Sequence, residues 1–271
     1  RSVMAERFTG YLFREHLKQF FGNRDRLYSY LASASALDLA PFKDEFTGPV
    51  IDTNKWTVGN GGGAGAVSPA IIAGSAGGQA RLTTGTANGA TASSTLSGGR
   101  HFTGDTNAIM VARIELVADV AGVKVEVGFR DNILTSDAGE VVNVMATPSF
   151  TAVDGVCWCY DTSNTDVGWE GLGVASSVAA TTDTGFNAVP VADTFEYLMI
   201  ELIGGSAYFS RFNASGLRTY MGGAGTRRPM ALAVTATVLL APYVYVEARS
   251  ATSQNVDVDM VAMWSARSTT P

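Results

Sequence analysis

Phe195-Glu196-Tyr197-Leu198-Met199-Ile200-Glu201-Leu202 is followed closely by Gly205-Ser206-Ala207-Tyr208-Phe209-Ser210-Arg211-Phe212. Two more runs of the same kind follow, Tyr243-Val244-Tyr245-Val246-Glu247-Ala248-Arg249 and Val256-Asp257-Val258-Asp259-Met260-Val261-Ala262-Met263-Trp264. Each is short, rich in β-branched or aromatic residues, and mostly alternates polar with apolar. In a strand that alternation turns one face to a core and the other to water or a second layer. Such runs, separated by Gly, Pro, Asn and Ser, predict an antiparallel β-sandwich and not a βαβ fold. A sandwich is a scaffold for many activities, so function has to be argued from a site.

Hydrophobic residues make up 46% of the 271-residue chain and charged residues only 16%. The apolar content is ample for a core, and the low charge points to surface covered by other subunits. No apolar run approaches 18 residues, so no membrane span is expected. Arg, Glu, His and Lys are scattered through residues 1–20, which do not form a signal-peptide core. A net charge of −6, with Arg227-Arg228 an isolated basic doublet, argues against nucleic acid as a partner. Cys157 and Cys159 flank Trp158. On a strand both point to one face with Cα atoms roughly 6.5–7 Å apart, poor geometry for a mutual disulfide. They read as reduced core residues made in a reducing cytosol. With His16 and His101 far away in sequence, no zinc site and no Ser/His/Asp chemistry is expected.

Residues 1–40 differ from the rest. They hold six Lys/Arg against four Asp/Glu, and seven of the 26 aromatics: Phe8, Tyr11, Phe13, Phe20, Phe21, Tyr28 and Tyr30. Met4, Phe8, Tyr11 and Leu12 recur at helical spacing, as do Phe13, Leu17, Phe20 and Phe21. Together they surround the helix, which implies burial by more than one neighbour. Gly22-Asn23 breaks it, and Asp25 caps a second short helix. Two roles are open: a helical pair packed on its own sandwich, or an arm inserted into a partner, with the seven aromatics as assembly contacts. The expected domains are therefore a helical arm over 1–40 and a β-sandwich over 41–271.

Further on, Gly61-Gly62-Gly63 and Gly77-Gly78 interrupt regular structure, with room for strands at Ala70–Ala73 and Ala80–Thr83. No Gly-Lys-Ser/Thr follows, so these glycines are not a phosphate loop. Ala108–Ala118 and Gly122–Arg130 alternate cleanly. Met110, Ala112, Ile114 and Leu116 share one face, and Val123, Val125, Val127 and Phe129 share another. Read as a hairpin, the two runs pair Arg113 with Glu126 and Glu115 with Lys124.

The run from Phe42 to Trp56, with Asp44, Phe46 and Asp52 inside it, resembles the opening of concanavalin A-like lectin/glucanase (laminin-G-like) jelly rolls. Val123–Asp131 resembles that family's middle strand and Val256–Trp264 its last one, so the resemblance covers roughly 42–267. It implies a two-sheet antiparallel jelly-roll sandwich. Glycosidases of the family carry Glu-x-Asp-x-x-Glu or Glu-x-Asp-x-Glu on one strand, with nucleophile and acid about 5–5.5 Å apart. The matching strand here reads Glu126-Val127-Gly128-Phe129-Arg130, and one carboxylate cannot fill both roles, so no enzyme is expected. Lectins of the class hold calcium in Asp/Asn loops beside a stacking aromatic. Asp161–Asp166 offers oxygen ligands but also reads as a polar turn, and no metal or other cofactor is expected. Tyr243 and Tyr245 share a face and are candidates for stacking on a ligand. A jelly roll with an aromatic arm, few charges and no active site resembles phage virion proteins. That implies a decoration, cement or minor capsid protein in the virion, a homo-oligomer bound to the major capsid or other virion proteins. The alternative is a carbohydrate-binding, lectin-like module or adhesin with a glycan as partner.

Overall fold

Glu196–Phe212 folds as two antiparallel strands that turn through Gly204 and Gly205, at φ 57° and 78°. A two-residue hairpin of this hand needs left-handed backbone at both central positions, which glycine adopts without a Cβ clash. The computed structural model describes residues 42–75, 77–133, 141–144, 149–163, 168–180, 188–213, 218–220 and 229–265. The arm expected over 1–40, with Phe8, Tyr11, Phe13, Phe20, Phe21, Tyr28 and Tyr30, lies outside them, and so do Arg227 and Arg228.

Strands are numbered in chain order. One sheet contains β1 (Phe42–Asp44), β3 (Val67–Ile71), β4 (Ala80–Thr83), β7 (Ile109–Val117), β14 (Glu196–Ile203), β15 (Ser206–Phe212), β16 (Arg218–Tyr220) and β18 (Asn255–Trp264). Its order is β16-β15-β14-β7-β18-β4-β3, with β1 also paired to β18. The second sheet contains β2 (Trp56–Asn60), β5 (Gly89–Gly98), β6 (Phe102–Thr103), β8 (Val123–Arg130), β11 (Gly155–Asp161), β12 (Glu170–Ala175), β13 (Val178–Ala179) and β17 (Leu239–Ala248). Its order is β13-β12-β11-β8-β17-β5-β2, with β6 paired to β17. A small hairpin, β9 (Val142–Val144) with β10 (Ser149–Phe150), is separate from both. All these pairings are antiparallel, so the described residues form a jelly-roll-like two-sheet sandwich.

The inward faces are the apolar faces of the alternating runs. Met110, Ala112, Ile114 and Leu116 of β7 meet Val123, Val125, Val127 and Phe129 of β8 in one core, with Trp158, Leu198 and Val244. Trp158 donates its indole N–H to the Met199 carbonyl at 3.1 Å and meets Phe209 edge-on at 5.2 Å. Each such large side chain contributes about 1.5–3 kcal/mol by leaving water. In β18, Asp259 sits in a bulge that shifts the register between Val258 and Met260. The extra residue changes the phase of the alternation, so Val256 and Val258 face inward before it, and Val261 and Met263 after it.

The opening motif ties the two sheets together. Asp44, at the end of β1, accepts from the Phe46 amide at 2.9 Å and from the Trp56 indole N–H at 2.9 Å. Phe42 packs edge-on against Trp56 at 5.2 Å. Its role is structural: a carboxylate buried between the first strands of the two sheets holds their crossing.

The hairpin expected between 108–118 and 122–130 does not form. The faces are as predicted, but β7 pairs with β14 and β18, while β8 pairs with β11 and β17. The connection from Ala118, at φ 66°, to Gly122 crosses from one sheet to the other. Alternation fixes which side chains face inward and leaves the choice of neighbouring strand open. Arg113 therefore lies one sheet away from Glu126 and forms an ion pair with Asp259 at 2.8 Å. Its guanidinium also stacks on Phe195 at 3.9 Å. In double-mutant cycles, Arg113→Ala and Asp259→Ala are expected to couple by ~0.5–3 kcal/mol, while Arg113→Ala and Glu126→Ala add within about 0.5 kcal/mol. Urea unfolding of the single and double variants measures both.

Candidate functional site

The matching strand of the resemblance, β8, is central in the second sheet. Its outward positions are Lys124, Glu126, Gly128 and Arg130, because Val123, Val125, Val127 and Phe129 face the core. Cross-strand register sets Gly128 between Cys157 and Tyr243, Glu126 between Cys159 and Tyr245, and Lys124 between Asp161 and Glu247. These rows form the centre of the sheet's outer face, where a glycosidase of this fold type would need its carboxylates.

That face is covered by the chain itself. The Glu126 carboxylate accepts the backbone N–H groups of Val141 at 2.7 Å and Val142 at 3.1 Å, and the Tyr243 hydroxyl at 2.6 Å. Lys124 lies 3.2 Å from Glu126 and donates to the Val142 carbonyl. Val141, Val142 and Ala152 then pack over Cys157, Cys159, Leu172, Tyr243 and Tyr245 as a second, smaller core. Lys124 and Glu126 are both 0% exposed. A charge pair so deeply buried persists only when hydrogen bonds complete its coordination, and this one is completed by the backbone of the covering segment.

The polar chain continues across the sheet. Lys124 is 3.7 Å from Glu247, whose carboxylate accepts the Tyr245 hydroxyl at 2.9 Å and Arg249 at 2.7 Å. Arg249 grips Asp161 with two bonds, at 3.0 and 2.8 Å, the two-pronged geometry that suits guanidinium and carboxylate. Burial alone would raise Asp161. Bonds from Arg249 and Ser163 outweigh it and leave the carboxyl below its ordinary value. Burial, with the Glu126 carboxylate nearby, pushes both cysteine thiols well above theirs. Both are free and buried, as the sequence indicated.

The arrangement leaves no room for the missing carboxylate. A Cβ at Gly128 would stand 2.0 Å from the Val156 carbonyl oxygen and 2.6 Å from the Cys157 Cα. Any side chain there requires the backbones of β8 and β11 to move apart. Tyr243 and Tyr245, the stacking candidates, are both 0% exposed with their hydroxyls bound to Glu126 and Glu247. A ligand does not reach either ring in this conformation. In the possible ion loop, Asp161 is engaged by Arg249 and Ser163, and the loop's end lies outside the described residues. Among the described residues no three His, Cys, Asp or Glu side chains come together as metal ligands. Asp257 and Asp259 of β18 are paired with Arg81 and Arg113.

Two predictions follow from this geometry. Gly128→Ala is expected to cost at least about 3 kcal/mol, because the clash is with backbone and not with a flexible side chain; chemical denaturation measures it. The second concerns acid. A lowered carboxyl pKa in the folded state stabilises above the ordinary aspartate range, and that stabilisation is lost as pH falls through the lowered value. Glu196 works in the opposite sense, since burial outweighs Arg211 and Trp169 and raises its pKa. Asp161→Asn should therefore be less stable than the parent at neutral pH, with the gap closing between about pH 5 and pH 2. Urea melts across that range test it, and a gap independent of pH would refute it.

No protein-family profile and no curated protein sequence matches the chain. Solved structures do. Peanut lectin, solved with a nine-residue peptide, superposes with a TM-score of 0.54 at 10% identity, covering 84% of this chain and 97% of the lectin. A β-glucanase of Bacillus licheniformis gives 0.51 at 11% identity, covering 84% and 99%. A Mycobacterium tuberculosis protein, described as an immunostimulatory antigen and pseudo β-1,3-glucanase, gives 0.50 at 15% identity, covering 84% and 99%. At such identities the likeness is one of fold, and it spans nearly the whole of each relative. The described residues therefore have the concanavalin A-like jelly-roll fold that lectins and glucanases share.

Proposed function

We propose that the chain is a non-hydrolytic recognition module of lectin type. Carbohydrate is its ligand class, and the loops of the sandwich, not the covered sheet face, are its contact surface. One observation carries this reading: the outward row of β8 holds a single carboxylate, Glu126, tied to the amides of Val141 and Val142. A retaining or inverting glycosidase needs two carboxyl groups facing an open cleft. Here the second position is Gly128, and the face is packed shut. A carboxylate whose oxygens accept two amides and a tyrosine hydroxyl beneath a packed cover is not within reach of a leaving group. The likeness in fold to a lectin and to a protein described as a pseudo-glucanase supports binding without cleavage. The virion role that the resemblance implied rests on residues 1–40 and on the low charge, not on any feature of the sheet face.

The test has two parts. Incubation with laminarin and lichenan should release no reducing ends above the blank, and a glycan array should give saturable binding to a restricted set of glycans. Turnover that disappears in Glu126→Gln would make the protein an enzyme. A folded protein that binds nothing on the array would refute the lectin reading and favour the assembly role.

A further inference from the structure

The outer face of the other sheet is also apolar, and it too is buried. Cross-strand register places Ser210, Met199, Val111 and Ala262 in one row across β15, β14, β7 and β18. The adjoining row runs Phe212, Tyr197, Arg113 and Met260. All of these point away from the core, because Leu198, Ile200, Ala112, Ile114 and Val261 point into it. Yet none of Ile109, Val111, Met199, Phe212, Met260 and Ala262 is more than 7% exposed. Among the described residues no strand lies over them: the second sheet fills the inner side, and the β9–β10 hairpin sits on that sheet's far face.

We infer that this face is the docking surface of the chain's own residues 1–41. The first argument is where that segment ends. Residue 41 leads directly into β1, and β1 pairs with β18 at Val261, Ala262 and Met263. The segment therefore meets the sheet beside Ala262, about 10 Å or two strand spacings from Val111. The second argument is composition. The face is a strip of methionine, valine and alanine that ends in Phe212, and bulky aromatic side chains bury well on such a surface. Residues 1–40 supply seven aromatics. Length is sufficient too, since a helix of about 20 residues spans about 30 Å, twice the width of the four strands. This inference does not depend on what the sandwich binds.

The experiment uses the full chain. p-Benzoylphenylalanine replaces Tyr208, a half-buried residue at the rim of the face. Equal amounts of unlabelled and 15N-labelled protein are mixed, irradiated and mapped by mass spectrometry. Adducts to peptides within 1–41, without isotope mixing, are the expected result. Mixed-isotope adducts would identify a second copy as the occupant and overturn the inference, as would adducts confined to residues 214–228 or none at all. A second variant, Met199→Asp, puts a charge into the centre of the strip. Tryptic cleavage within 1–41 should then accelerate by about tenfold or more, the change given by losing roughly 1.4 kcal/mol of docking free energy. Cleavage at an unchanged rate, with the variant folded, would equally overturn it.

Discussion

A carboxylate at zero exposure dictates much of this structure. Glu126 sits in the middle of a sheet face, away from water, where an ionised group without partners costs several kcal/mol. Its strand neighbours supply Tyr243 and Lys124, and the remaining capacity is filled by two amides at the start of β9, those of Val141 and Val142. Those amides need an acceptor as much as the carboxylate needs donors, since a buried backbone N–H is rarely left unpaired. The reciprocal need pins the β9–β10 segment to the sheet. Once it is pinned, Val141, Val142 and Ala152 close over the cysteines and tyrosines, and the small core that results keeps water from the ion pairs beneath.

The same constraint makes this face unlike the open two-carboxylate cleft that glycoside hydrolysis requires. In a glycosidase the outward face of the central strand is wet and carries carboxyl groups that stay available to substrate. Here the equivalent face is dry, and its charges form a closed chain from Asp161 through Arg249, Glu247 and Lys124 to Glu126. Each link satisfies the next. A closed chain of this kind gives rigidity.

Much of the sandwich could be read from the residues, for identifiable reasons. Alternation assigned Ile114 and Val125 to the core, and the motif from Phe42 to Trp56 marked the opening of the jelly roll. Spacing placed Cys157 and Cys159 together on one buried face. What alternation does not encode is the partner of a strand. Glu115 and Lys124 looked like a cross-strand pair because they are close in sequence, whereas the observed neighbour of Lys124 is Glu247, on a strand from the far end of the chain. The cover on the second sheet was missed for a similar reason: Lys124 and Glu126, alternating with valines, look like a solvated face. A signal was present nevertheless. Gly155–Asp161 and the run from Tyr243 to Val246 are apolar on both faces, as is usual for strands covered on both sides.

This double burial also accounts for the composition. A sandwich of two sheets with both outer faces in water needs polar residues at alternate positions of most strands. This chain instead places Cys157, Cys159, Leu172, Tyr243 and Tyr245 on one outer face, and Val111, Met199, Met260 and Ala262 on the other, with a charged content of only 16%. Low charge therefore does not require subunits to cover the surface. On the second sheet the chain provides the cover from its own β9–β10 segment. On the first sheet the buried face adjoins β1, which pairs with β18 at Val261, Ala262 and Met263.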